Sequence, residues 1–432
     1  MSPRGRRIWT GLCVLVLIGA VVALAILLWP APAPRAVAAQ PMTPALIARG
    51  QYVATAADCV ACHTTEGGRP YAGGRAFKLP FGTIYSPNIT PDRQTGIGGW
   101  TDAQFLRAVH QGIGDQGEEL YPAFPYTSYS RMSDGDALAV KAYLSTLQPV
   151  SAPAHPNGLV FPFNQRPIMR FWKILFMPRG GFREDARQSP EWNRGAYLVT
   201  ALGHCGECHT PRNLLYGFRA GQALSGETMQ GWTAWNLTND PRHGLGSWSV
   251  DEIAGYLRYG YAPGHGAASG PMREAVDYSL SKLPPQDLRA MAVYLKTVPG
   301  KGRGPEPALT AASMTQSSDI GPPKSEDAGT QGRRIFEGAC ASCHAWNGRG
   351  QQTELTALRG LRSVSDPDGR NVVQTVLRGG RVDAPQGRAW MPAFGRAYSD
   401  AEVAAVSNYV IAHFGGQTGK VTAEQVAKAR RE

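Results

Sequence analysis

The chain has 432 residues, with 44 Lys and Arg against 33 Asp and Glu, a formal charge of +11. No basic run is long enough to track phosphates, so the positive excess describes a mildly cationic surface and no nucleic-acid partner is expected. The length suits about three domains, and 51 glycines with 33 prolines suit small domains carrying long loops.

Residues 1–30 read as an N-terminal membrane anchor or signal segment. Ile8 to Trp29 carries no charge and is long enough to cross about 30 Å of hydrocarbon as a helix. Arg4, Arg6 and Arg7 precede it, which places the N-terminus in the cytoplasm and the bulk of the chain outside. A cleaved signal peptide is the competing reading, because Ala36-Val37-Ala38-Ala39 resembles a small-residue cleavage site. The apolar run exceeds a usual signal core and a Pro/Ala spacer follows it, which favours a retained anchor.

Residues 43–150 form the first expected domain. It holds Cys59-Val60-Ala61-Cys62-His63 and closes on a helix capped by Ser133 with acidic residues in its first turn. An apolar connector, 151–188, contains Phe161, Phe163, Phe171, Trp172, Leu175, Phe176 and Met177, and must be covered by its own domains, a partner or the membrane. Residues 189–299 repeat the plan around Cys205-Gly206-Glu207-Cys208-His209, closing on a helix from Asp287 to Thr297. There Leu288, Met291, Ala292 and Leu295 make one apolar face. A further echo, Asn88-Ile89-Thr90 before Gly96 to Trp100 and Asn236-Leu237-Thr238 before Gly244 to Trp248, supports duplication of one unit.

A flexible linker is expected over 300–329 and a third domain over 330–416, around Cys340-Ala341-Ser342-Cys343-His344. Ser399-Asp400-Ala401-Glu402 reads as a capping box for a helix through Ala412. Tyr143, Tyr294 and Tyr409 hold equivalent places in the three closing helices and read as core. The polar tail from Gln417 is expected to be loosely held.

Cys-x-x-Cys-His is the covalent attachment motif of c-type haem. Its two thiols add to the haem vinyl groups, and the histidine binds iron from one face. Zinc ribbons need Cys pairs roughly 15–20 residues apart, far closer than these motifs lie. Three covalently bound haem c groups are therefore expected, on Cys59 and Cys62, Cys205 and Cys208, and Cys340 and Cys343, with His63, His209 and His344 as axial ligands. Methionine commonly supplies the other axial ligand in electron-transfer cytochromes. Met391 and Met272 are the candidates for the third and second haems. For the first, Phe124 stands where a ligand is expected and cannot bind iron; Met132, His110 or an open position remain.

The strings Gly82 to Asp92, Tyr121 to Tyr129, Phe161 to Arg166 and Gly203 to Leu214 resemble the triheme cytochrome c subunits of bacterial membrane-bound dehydrogenases. These include quinoprotein alcohol, gluconate and molybdenum-dependent aldehyde dehydrogenases. The resemblance implies a mainly α fold of three tandem class I cytochrome c domains behind an N-terminal transmembrane helix. It also implies a subunit in the bacterial cytoplasmic (inner) membrane, its bulk periplasmic, passing electrons from a catalytic subunit to ubiquinone. Phe124 in a loop where the family carries methionine favours the molybdenum aldehyde dehydrogenase branch. Cytochrome subunits of alcohol or gluconate-type dehydrogenases, and a haem protein with a catalytic open first haem, are the alternatives. Substrate oxidation is expected on another polypeptide, since no dinucleotide fingerprint or iron–sulfur cysteine set remains once the haem cysteines are used.

Overall fold

The computed structural model describes residues 3–38, 40–304 and 330–432, so most of the expected 300–329 linker lies outside the described residues. The chain divides into two compact units, Met1–Gly50 with Thr65–Phe182, and Gln51–Thr64 with Arg183–Glu432. Helices make up 46% of it.

Helix α1 (Pro3–Leu28) is apolar on every side and buries none of its residues within the protein, as a lipid-facing helix would. Among the described residues it alone is long and apolar enough to cross a membrane, with a mean hydropathy of 3.1. Helix α2 (Pro44–Ala56) leads toward the first motif. In the first unit a three-stranded antiparallel sheet combines β1 (Ala76–Leu79), β2 (Gly82–Tyr85) and β3 (Gly158–Leu159). Beside it run α3 (Asp102–Gln111), α4 (Asp134–Ser145) and α5 (Met169–Phe176). Ser133 caps α4 as expected, accepting from the Asp136 N–H.

The second unit continues with α6 (Pro190–Tyr197), the hairpin β4 (Glu227–Met229) and β5 (Trp232–Ala234), then α7 (Val250–Tyr259), α8 (Gly270–Tyr278) and α9 (Pro285–Leu295). After the undescribed stretch come α10 (Gln331–Ile335), α11 (Arg370–Arg378), the hairpin β6 (Gly380–Ala384) and β7 (Gly387–Met391), α12 (Asp400–Gly415) and α13 (Ala423–Arg431). Helix α9 starts at Pro285 rather than Asp287, because proline's fixed φ and missing N–H suit a first turn. Its expected apolar face is buried in full at Leu288, Met291, Ala292 and Leu295.

One close approach recurs three times. A Cβ on Gly50 would lie 1.9 Å from the Ala139 carbonyl oxygen, on Gly195 1.9 Å from that of Ala290, and on Gly332 2.2 Å from that of Ala405. The next atoms met include the Cβ of Tyr143, Tyr294 and Tyr409, four residues beyond each carbonyl. Each helix ahead of a Cys-x-x-Cys-His motif thus crosses a closing helix backbone to backbone, with glycine making the crossing possible. The tyrosines take their equivalent places because they flank that crossing, which is a packing role.

The sequence echo between the first two repeats has a physical basis. The Asn88 side-chain oxygen accepts from the Thr90 N–H (2.9 Å) and hydroxyl (2.8 Å), while its amide donates to the Val150 carbonyl (2.7 Å). Asn236 does the same with Thr238 (2.8 and 2.6 Å) and donates to Lys301 O (2.5 Å). In both repeats one asparagine closes its own turn and ties the loop to the chain that leaves the closing helix.

Two expectations are corrected here. The tail from Gln417 is not loose: Val421, Val426 and Ala429 join the hydrophobic cluster of Phe336, Val403, Ile411 and Phe414. A Thr422–Gln425 capping box starts α13, and Arg430 donates to the Tyr398 carbonyl and pairs with Asp400. So few apolar residues left the seam invisible to a hydropathy reading. The helix expected to end at Ala412 runs on to Gly415 and stops at Gly416, whose φ of 64° ends it in the left-handed conformation.

Candidate haem centres

Each motif occupies about one turn of helix, which puts its two cysteines on one face three residues apart. His63 N–H donates to the Cys59 carbonyl and His209 N–H to that of Cys205, both at 3.0 Å. Ahead of the second and third motifs the backbone widens into a π turn, Leu198–Leu202 and Phe336–Cys340. Such a turn rotates the chain that follows it relative to a plain α-helix. None of the seven cysteines is engaged in a disulfide. Burial pushes the thiols of Cys59 and Cys205 up to about 12 and those of Cys208 and Cys340 up to about 11, which marks all four sulfurs as lying in an apolar setting.

The histidines carry the decisive geometry. His209 Nδ1 lies 2.6 Å from the Trp235 carbonyl oxygen, and His344 Nδ1 lies 2.7 Å from that of Thr356. A carbonyl oxygen only accepts, so Nδ1 bears the proton and the Nε2 lone pair is available to a metal. Burial lowers the pKa of both histidines, with the backbone bond acting against it. The neutral form that ligates iron is thereby favoured. Among the described residues no three His, Cys, Asp or Glu side chains converge as a zinc site would require.

The Cytochrome c family profile matches residues 47–148 and 329–412. Among curated relatives, the gluconate 2-dehydrogenase cytochrome c subunit of Pantoea cypripedii is 38% identical, over 90% of this chain and 90% of its own. The fructose dehydrogenase cytochrome subunit of Gluconobacter japonicus is 37% identical, over 89% and 82%. The chain belongs to the family of dehydrogenase cytochrome c subunits. A nicotinate dehydrogenase subunit of Pseudomonas putida is 42% identical over 85% of this chain, which spans 30% of that longer protein.

A dehydrogenase cytochrome c subunit carries covalent haem c and transfers electrons. The residues present fit that group: paired cysteines on one helical turn followed by a histidine, whose imidazole is held through Nδ1 in the second and third motifs. The methionine candidates differ in setting. Met391 ends β7, and Met272 lies in the first turn of α8, both half-buried, whereas Met291 is buried in the core as expected. Helix α8 is tied to β6 by Asp277, whose Oδ2 accepts from Arg381 at 2.9 Å. In the first unit, Met132 is buried and its backbone is bonded by His110, which also faces Asp134 at 3.6 Å. Phe124 packs edge-on against Tyr126 and Tyr129.

Sequence reasoning missed the contacts that bring motifs together within the second unit. The ring of His204, adjacent to Cys205, hydrogen-bonds the backbone of Ala57, two residues before Cys59. Asp58 lies near enough for its charge to act on Cys208. Arg194 on α6 donates to Asp287 (2.9 Å) and to the Tyr52 hydroxyl (2.6 Å), which itself donates to Asp287 (2.5 Å). Burial alone would raise the Asp287 carboxyl, but these two partners hold it below the usual carboxylate range. Burial and the carboxylate together push the Tyr52 phenol up. The third motif's segment is tied to the second by Arg362, donating to the carbonyls of His243 (2.7 Å) and Gly244 (2.9 Å), and by Asn371, which exchanges two bonds with Thr233. No periodicity announces such contacts, because each rests on a single polar residue.

Proposed function

We propose that this chain is a triheme, membrane-anchored electron-transfer subunit on the periplasmic side of the bacterial inner membrane. It would take electrons from a dehydrogenase on another polypeptide and deliver them to ubiquinone. Bound haem c supplies reversible one-electron chemistry at each centre. Cys59, Cys62, Cys205, Cys208, Cys340 and Cys343 attach the three groups, and His63, His209 and His344 ligate them. Met272 and Met391 complete the second and third.

The observation that carries this reading is the adjacency of attachment turns in the second unit. His204 on Ala57 and Asp58 beside Cys208 hold the first and second motifs side by side, while Arg362 and Asn371 hold the third motif's segment on the second. Electron transfer needs its centres at short, constant separation, and polar links between the segments that carry the motifs support that reading. A molybdenum aldehyde dehydrogenase is the preferred partner on the strength of Phe124; the fructose and gluconate relatives support a sugar-oxidising partner as the second reading.

The partner reading is tested by tagging the full chain and purifying it from detergent-solubilised membranes. A dehydrogenase should accompany it, and that enzyme's substrate should reduce the haem absorption bands. Purification without any dehydrogenase activity would count against a dedicated subunit. The ligand reading predicts that Met391→Leu leaves haem content intact while one haem turns high-spin and drops in potential. An unchanged spectrum and titration would remove Met391 from the site.

A further inference from the structure

The end of α1 is held by α5. Arg170 donates through Nη1 to the carbonyls of Ile26 (3.1 Å), Leu27 (2.9 Å) and Trp29. These are the open carbonyls of the helix C-terminus, which a guanidinium satisfies both by hydrogen bonding and by complementing the dipole. Arg170 is itself fixed: Glu119, which is buried, accepts from its Nε at 3.0 Å and from Lys173 Nζ at 2.5 Å. Trp172 and Met169 anchor α5 in a cluster with Tyr121, Tyr126 and Ile84. The place where α1 ends is therefore also the place where α5 lies.

Around that place the surface is apolar. Ile174 and Leu175 on α5 are 61% and 64% exposed, and Phe161 on the adjoining loop is 78% exposed. The connector was expected to need a cover; its own unit covers only Trp172, Met169 and neighbours, and leaves these side chains out. From Ser151 to Phe182 the chain holds Arg166, Arg170, Lys173 and Arg179 and no acidic residue. Arg166, Arg170 and Lys173 are turned to Glu119 and the end of α1, so it is the exposed Arg179 and the absence of acidic residues beside the apolar side chains that suit an anionic lipid surface.

We propose that α5 and the loop at 160–163 form a second membrane contact, lying in the lipid headgroup region next to the exit of α1. The proposal rests on α1 being a retained anchor. If α1 spans the bilayer, its terminal carbonyls lie at the interface, and Arg170 brings Ile174 and Leu175 to the same depth. An apolar face of this kind settles about 5–10 Å into the headgroup–acyl boundary. Two contacts in place of one fix the orientation of the first unit against the membrane, which a single helix and its spacer do not.

The test uses nitroxide labels on full-length holoprotein in vesicles containing phosphatidylglycerol, in a Cys13→Ala background. Labels are placed through Leu175→Cys, Ile18→Cys or Leu214→Cys, the last being fully exposed in the second unit. The ratio of collisions with oxygen to collisions with a water-soluble nickel chelate reports lipid contact. The ratio at Leu175 is expected several-fold above that at Leu214 and below that at Ile18. A lipid-like Ile18 with Leu175 equal to Leu214 overturns the seat while leaving the anchor standing. An aqueous Ile18 overturns the anchor itself. Low access of both reagents at Leu175 would mean that protein covers the face, and would also overturn the proposal.

Discussion

Replacing Gly195 with alanine is expected to cost at least the upper part of the about 1–3 kcal/mol typical of overpacking, and to leave the protein with one haem fewer per chain. The added Cβ would sit 1.9 Å from the Ala290 carbonyl oxygen, which is backbone and has no rotamer to change. Relief requires α6 and α9 to part, which opens the packing around the fully buried Leu198, Leu288 and Met291. It also pulls Arg194 away from Asp287, and with it the link to Tyr52. Thermal unfolding together with haem content of the purified variant checks this. Wild-type melting and full haem content would contradict the crossing. Gly50→Ala and Gly332→Ala should act alike in their own repeats.

Glu119→Ala is expected to destabilise the first unit by about 3–5 kcal/mol, because it leaves a buried cation without its counter-charge. Lys173 already has its pKa lowered by burial, and Glu119 is the partner that opposes the shift. Without it the folded pKa falls further below the unfolded value. The folded state then binds fewer protons than the unfolded one between those two values, so the variant's stability rises as pH climbs through that window. Melting curves of the detergent-solubilised variant near neutrality and at alkaline pH should therefore converge toward wild type as pH rises. A variant that melts like wild type at neutral pH would show that the pair carries no stability. Glu119→Gln keeps an acceptor and should lose less.

Much of this architecture was legible because haem attachment leaves a covalent signature. The three Cys-x-x-Cys-His strings and the apolar face of the second closing helix are local patterns, and that face is buried at Leu288, Met291, Ala292 and Leu295 as its spacing required. The Asn88 and Asn236 echo was visible as a repeat, though not as the hydrogen-bonded closure it makes. Gly50, Gly195 and Gly332 carry no sequence signal of their role, since a helical glycine looks the same whether or not another backbone crosses it. The carbonyls of Trp235 and Thr356 that orient His209 and His344 carry no sequence signal at all, because any residue presents one. The tail helix was lost for the opposite reason: Val421, Val426 and Ala429 are too few and too small to stand out among charged neighbours. Arg170 could not be read as the cap of a helix more than a hundred residues earlier.

The central claim is that each of the three motifs holds a haem. Intact mass of the purified full-length protein, combined with a pyridine haemochrome assay, counts the haems directly. The account predicts three covalent haem c groups per chain, with Cys205→Ala and Cys208→Ala together lowering the count by one. A wild-type count of two or fewer would contradict it.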